Sequence, residues 1–249
     1  PVSKKLNNYL KQFKNKTILF SKHASYNDDI KATIVQDINN ITVPKGYTNT
    51  WFEKIYKLEQ VASSHIQSIL DNNYFEGSII YNCIKNLKNK DNLFIGNSLS
   101  IRMLEQYTQN IDKTIRVYSN RGASGIDGLI ATALGISFIN RAHRNILILG
   151  DISFFYDINS LLIPNNYPIN MSIIVINNKG GRIFKSLPYA KEIKPKDDKF
   201  WTTPVKLNIK KACDFYKTNY YYLESIDQIN KNLNSIINKK GINVIEITC

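Results

Sequence analysis

No run of about 18 apolar residues occurs in this 249-residue chain, so none of its segments has the length of a bilayer-spanning helix. Cysteine is scarce. Cys83, Cys213 and Cys249 are odd in number and lack CxxC or Cys/His spacing, which argues against zinc and for a reducing compartment. Histidine is equally sparse, and His23, His65 and His143 are isolated, so a histidine-based metal site is not expected. Acidic residues are also in deficit: 20 against 33 basic ones, a net charge of +13. The lysines are dispersed, as in KNLKNKDN and NKNLNSIINKK, and form no arginine–aromatic stripe. This charge reads as a solvated lysine-rich surface, with no nucleic-acid or membrane partner expected. The opening PVSKKLNNYLKQFKNK has no apolar h-region, so no secretory leader is expected, and a start at Pro1 suggests a processed or partial product.

What is present is enough apolar content, 43%, to bury one substantial core. In residues 1–42, Leu6, Leu10 and Phe13 recur at helical spacing after Ser3, an N-cap residue type, and TILF (17–20) reads as a short strand. Two such elements cannot close a core, so this stretch is expected to be the end of a domain that begins elsewhere. Residues 43–75 read as a linker through VPKGYTNT (43–50) and a connecting helix from Trp51 to about Asn72, with Ile55, Leu58, Ile66 and Ile69 among its apolar positions. FEGSIIYNCIKNLK (75–88) gives another helix.

From residue 76 to 249 the pattern is regular. LFIGN (93–97), IRVYS (115–119), NILILG (145–150), MSIIVIN (171–177), YYYLE (220–224) and INVIEIT (242–248) are strand-like runs. Helical patterns lie at 98–108, 125–139, 152–162, 205–217 and 226–238. Continuous apolar strands alternating with helices predict a three-layer αβα domain on a mostly parallel six-stranded sheet.

In such a sheet ligands bind at the carboxyl ends of the strands. Asn97-Ser98, Asn120 to Gly128, Gly150 to Ser153 and Asn177 to Gly181 all lie just past a strand. Asp151 and Asn178, on successive strands, would bring a carboxylate and an amide oxygen together, hard ligands suited to Mg²⁺ or Ca²⁺. Asp151 to Ser153 also open a helix, whose free N–H groups suit an anion. Taken singly, Asp151 is as readily a helix N-cap, Asn177-Asn178 a turn, Arg102 a partner in a surface salt bridge, and Asp127 equally a cap or a brace of its own loop. Arg121, in a glycine-rich loop between apolar segments, suits bidentate recognition of a carboxylate.

Gly150-Asp151 followed by Asn177-Asn178 resembles the diphosphate-binding motif of thiamine diphosphate enzymes, with Ile152 where that motif usually has Gly. With this departure, GNSLSIR (96–102), NRGASGIDG (120–128), GDISFFYDINSL (150–161) and NNKGGRIFKSLP (177–188) resemble one branch, the 2-succinyl-5-enolpyruvyl-6-hydroxy-3-cyclohexene-1-carboxylate synthases called MenD. The likeness is close over about 76–188 and looser beyond; PVSKKLNNYL resembles the tail of that family's middle domain.

The resemblance implies the thiamine diphosphate-binding fold, with Mg²⁺ (or Mn²⁺) held by Asp151, the Asn178 side chain and the Gly180 carbonyl. Gly150, Ile152, Ser153, Gly181, Gly125 and Ile126 would complete the cofactor site, Ser153 facing the diphosphate and Ile126 beneath the thiazolium. Ser98, Arg102 and Arg121 would meet substrate carboxylates, and Ile183, Phe184 and Leu187 would form an apolar wall. Lys179 stands where the family often has Asn. No catalytic residue is assigned in this chain, because the glutamate that activates the aminopyrimidine comes from an N-terminal domain, usually of another subunit. The implied reaction decarboxylates 2-oxoglutarate and adds the succinyl carbanion equivalent to isochorismate, in menaquinone or phylloquinone biosynthesis. A homodimer or homotetramer with the active site between subunits is implied, in bacterial cytoplasm or plastid stroma, and the chain alone is expected to be inactive. The competing expectations are another carboligase such as an acetohydroxyacid synthase, a non-catalytic regulatory relative, and a basic nucleic-acid-binding protein.

Overall fold

Apolar, β-branched runs bounded by glycine, asparagine and aspartate become the strands of this protein. The computed structural model describes residues 4–22, 28, 30–32, 34–37, 39, 50–108 and 111–249. Ser3, His23 and residues 43–49 of the expected connector lie outside the described residues. The chain divides into two compact units, Pro1–Lys57 and Leu58–Cys249, the boundary falling within a long helix.

In the first unit, α1 (Lys4–Lys11) leads through a short 3₁₀ turn into β1 (Ile18–Ser21). A strand the sequence reading did not anticipate, β2 (Ile34–Asp37), pairs with it in parallel, Ile18 opposite Ile34.

The second unit takes in the rest of α2 (Thr50–Asn72), where Leu70 is buried but was not foreseen as the contact position. It continues through α3 (Glu76–Lys85), β3 (Asn92–Ile95), α4 (Leu99–Tyr107), β4 (Arg116–Tyr118), α5 (Leu129–Ile139), β5 (Asn145–Gly150) and α6 (Asp151–Tyr156). Then come β6 (Met171–Asn177), α7 (Asp198–Thr202), α8 (Ile209–Phe215), β7 (Asn219–Leu223), α9 (Ile226–Ile237) and β8 (Ile242–Thr248). The six strands β3 to β8 form one sheet in the order β4-β3-β5-β6-β8-β7, with every pairing parallel.

Strand alternation makes two cores, one per face. Leu93, Ile95, Ile146, Ile148, Ile174, Ile176, Ile245 and Ile247 pack with α3 and α9 on one side. Phe94, Leu147, Leu149, Ile173, Val175, Ile242 and Val244 pack with α5, α6 and α8 on the other. This is the three-layer α/β arrangement.

Several helix limits differ from expectation for local reasons. α5 begins at Leu129, not 125, because Gly128 stands in the left-handed region (φ +65°) and breaks the helical backbone before it. The Asp157 carboxylate, not Asp127, accepts from the free Ile130 and Ala131 N–H groups of that helix, at 2.7 and 3.0 Å. The helix expected to 162 stops at Tyr156, and a 3₁₀ segment containing Pro164 runs on to Asn165. α8 starts late, at Ile209, where the Asn208 side chain accepts from Lys211 N at 2.9 Å.

Where the strands begin, away from the loops of interest, the buried Asp91 carboxylate receives Arg144 Nε at 2.8 Å, Arg144 Nη2, and Lys88 N at 2.7 Å. Truncating one partner would leave Asp91 buried and unpaired. Arg144→Ala is therefore expected to destabilise the fold by about 3 kcal/mol, read from chemical denaturation, with no effect on ligand binding. The thiols of Cys83 and Cys213 are fully buried, and burial pushes them up to about 12 and about 11. The unfolded chain thus ionises first as pH rises. Stability should fall from pH 9.0, the ordinary thiol value, upward, and neither thiol should react with iodoacetamide at neutral pH until the protein unfolds.

Candidate functional site

The parallel register carries the ends of β3, β5 and β6 to one edge, with Ile95 opposite Ile148 and Gly150 opposite Ile176. The loops that follow these strands enclose a cleft lined in part by Asn97, Ser98, Ile126, Asp151, Asn178 and Gly180.

Asp151 is the first residue of α6, with Gly150 in the N-cap position, so the N-cap alternative does not hold. Its carboxylate accepts from Ile152 N (Oδ1, 2.8 Å) and across the strand gap from Gly180 N (Oδ2, 2.8 Å). The residue is only 2% exposed, and this burial pushes its carboxyl above the ordinary carboxylate range despite those two N–H groups. A buried carboxylate held by two neutral donors is short of positive charge.

The two asparagines at the end of β6 have different roles. Asn177 makes the turn: its Oδ1 accepts from Lys179 N (3.1 Å), and its Nδ2 donates to Glu246 on β8 (2.7 Å). Asn178 is buried, donates through Nδ2 to Glu76 Oε1, and has no hydrogen-bond partner for its buried Oδ1 among the described residues. Asn7 and Asn92 also carry buried amide oxygens without a partner among the described residues, but of the three only Asn178 is in the cleft lining, where an acceptor can take a donor or a cation. Gly180 is at φ +134°, and a Cβ there would stand 2.5 Å from the Thr202 carbonyl. Only glycine fits where the backbone passes this close.

On the other side of the cleft, Ser98 holds a strained backbone (φ +69°, ψ −127°) at the entrance to α4. Arg102 folds back to give Nη1 to the Ser98 carbonyl at 2.6 Å and makes no salt bridge among the described residues. Arg121 gives Nη1 to Asn97 Oδ1 (2.9 Å), while Asn97 Nδ2 donates to the carbonyls of Asn120 (3.1 Å) and Gly125 (2.6 Å). One buried amide thereby fixes the glycine-rich loop.

Of the residues expected from sequence, Gly150, Asp151, Ile152, Ser153, Asn178, Gly180, Gly181, Ile126, Ser98, Ile183 and Phe184 line one cleft. Gly125, Arg102, Arg121 and Leu187 are not in its lining. Gly125 and Arg121 are tied to it through Asn97, Arg102 lies one turn beyond Ser98, and Leu187 follows the 3₁₀ segment Arg182–Ser186. The sequence reading missed Glu76, Ile80, Met103 and Arg182, all in the lining, and did not assign Asn97 a role of its own. Among the described residues no three His, Cys, Asp or Glu side chains cluster as a metal site. The donors brought together here are instead one carboxylate, one amide oxygen and backbone, a set suited to a hard cation shared with phosphate.

Residues 100–247 match the family described as thiamine pyrophosphate enzyme, C-terminal TPP binding domain. The chain belongs to the thiamine pyrophosphate enzyme family. Similar curated proteins are 2-succinyl-5-enolpyruvyl-6-hydroxy-3-cyclohexene-1-carboxylate synthases. That of Listeria welshimeri is 34% identical, over 99% of this chain and 44% of its own length. Those of Staphylococcus aureus (33%, over 91% and 41%) and Bacillus cytotoxicus (29%, over 99% and 44%) are also similar. The chain thus spans less than half the length of these relatives.

In this thiamine pyrophosphate-binding domain, thiamine pyrophosphate being another name for thiamine diphosphate, Lys179 occupies the left-handed region at φ +63°. Asn tolerates that conformation better than Lys does. The residues present fit a cation-bound diphosphate: the orphaned Asn178 Oδ1 and the under-compensated Asp151 carboxylate are the two groups such a cation would satisfy.

Proposed function

We propose that this chain is the diphosphate- and cation-holding part of a synthase that decarboxylates 2-oxoglutarate and adds the succinyl unit to isochorismate. The observation that supports it most is the unpartnered, buried Asn178 Oδ1 beside the buried Asp151 carboxylate at neighbouring strand ends. When bound, thiamine diphosphate supplies the electron sink that decarboxylation of a 2-oxo acid requires.

In this reading Asp151, Asn178 Oδ1 and the Gly180 carbonyl hold Mg²⁺ or Mn²⁺. Ser153, in the first turn of α6, meets the diphosphate. Ile126, Ile183 and Phe184 keep water from the reacting carbon. Arg121 and Arg102 recognise the carboxylates of 2-oxoglutarate and isochorismate, and both keep their charge at any working pH. The two acids in the cleft lining are Asp151 and Glu76, and Glu76 is engaged with the Asn178 amide. In this reading, as the family resemblance implies, the acid that activates the aminopyrimidine comes from a pyrimidine-binding domain outside these residues, usually of another subunit. The reading carries with it a homodimer or homotetramer in bacterial cytoplasm or plastid stroma, and an inactive state for these 249 residues alone.

The test is a substrate assay on the protein as isolated from its source, with thiamine diphosphate and Mg²⁺. CO₂ release and product formation from 2-oxoglutarate with isochorismate are expected, and no carboligation of pyruvate. Turnover of pyruvate pairs would replace this reading with an acetohydroxyacid synthase type. Cofactor binding without any turnover, in a protein that also carries the pyrimidine-binding domain, would make the chain a non-catalytic relative.

A further inference from the structure

An asparagine is an ambiguous cation ligand, because its amide presents oxygen at one end and two N–H donors at the other. Rotation by half a turn would aim N–H at the cation and abolish the site. In this protein Asn178 Nδ2 donates to Glu76 Oε1, and the opposite end, Oδ1, is buried without a partner. An ionised carboxylate only accepts, so Glu76 can satisfy the nitrogen end alone. Glu76 sits in the first turn of α3, and the Gly77 that follows lets this turn lie against α4, since a Cβ there would come 2.6 Å from the Tyr107 ring. Glu76, Asp151 and Asn178 all face the same cleft, although Glu76 is 102 positions from Asn178 in the chain.

We infer that Glu76 is a positioning residue that fixes the Asn178 amide with its oxygen toward the cation, an inference that rests on the metal site proposed above. Glu76 does not touch the cation in this scheme. What matters is that its oxygens only accept, which separates this role from simple electrostatic attraction.

The experiment is Mn²⁺ titration followed by electron paramagnetic resonance, with thiamine diphosphate present, on the protein as isolated from its source and its variants. Glu76→Ala is expected to weaken Mn²⁺ binding roughly 10- to 100-fold, as for other groups that orient metal ligands. Glu76→Gln, whose amide can accept from Asn178 Nδ2 but can also flip and donate to Oδ1, should fall between wild type and Glu76→Ala. In an Asn178→Asp background both ends of the side chain are oxygen, so adding Glu76→Ala should leave the affinity unchanged or raise it by relieving repulsion.

Wild-type affinity in Glu76→Ala would overturn the positioning role. So would a further loss on adding Glu76→Ala to Asn178→Asp, since a purely structural or purely charge effect behaves that way. The metal reading itself fails separately: if Asp151→Ala binds Mn²⁺ as tightly as wild type, the cation is elsewhere and the role of Glu76 falls with it.

Discussion

Asp151→Ala is expected to weaken cation-dependent binding of thiamine diphosphate roughly 100-fold or more, since even groups that merely orient a ligand cost 10- to 100-fold. The residue brings a carboxylate to the end of β5, in a cleft whose other lining acid, Glu76, is engaged with the Asn178 amide. Removing it also orphans the Gly180 N–H, which it receives at 2.8 Å, and so loosens the turn that carries Gly180. Each orphaned N–H costs about 1–3 kcal/mol, so some loss of thermal stability will accompany the binding defect. Asp151→Asn separates the two effects. It retains an acceptor for one of the backbone donors while removing the charge, so it should fold nearly as well as wild type and still bind cofactor poorly. Calorimetric titration of thiamine diphosphate in Mg²⁺ checks this, and wild-type affinity in either variant would remove Asp151 from the cation site.

For Arg121→Ala the expected signature is a KM for 2-oxoglutarate or isochorismate raised about 10- to 100-fold, the worth of one charge-assisted hydrogen-bonded pair. Cofactor affinity should be preserved. The reason lies in how the side chain is anchored: Asn97 Oδ1 holds Nη1 at 2.9 Å while its own Nδ2 ties down the loop through Asn120 and Gly125. The guanidinium, although exposed, is tethered by this one bond, which lowers the cost of ordering it on binding. Arg121→Lys should not rescue, because an ammonium cannot reproduce the planar fork. Unchanged steady-state kinetics in Arg121→Ala would take the residue out of substrate recognition.

The fold was legible wherever burial on both faces leaves a continuous apolar run. NILILG, MSIIVIN and INVIEIT became β5, β6 and β8 at the residues expected, because such runs have one way to be buried. Helix starts were less legible: the left-handed Gly128 delays α5, and Asp157, 27 positions away from Ile130, supplies the cap that local sequence seemed to assign to Asp127. β2 was missed because its four residues, IVQD, carry only two apolar side chains, too few for a strand pattern to show.

The site was legible in its local parts, since Gly150-Asp151 and Asn177-Asn178 sit directly at strand ends. It was not legible where chemistry depends on distant partners. Glu76 reads only as an acid in the first turn of a helix, a place where acids are favoured by the helix dipole alone. Nothing in its neighbourhood points to Asn178. Asn97 likewise reads as a turn residue until the loop at 120–125 folds over it.

If the cleft at the ends of β5 and β6 binds a diphosphate through a divalent cation, affinity for thiamine diphosphate must depend on that cation. Calorimetric titration of thiamine diphosphate into the protein as isolated from its source, in Mg²⁺ and again in EDTA, decides this. Saturable binding is expected in Mg²⁺, with its loss in EDTA and its recovery when Mn²⁺ is supplied. Equal affinity with and without a divalent cation would rule the cation-bridged site out.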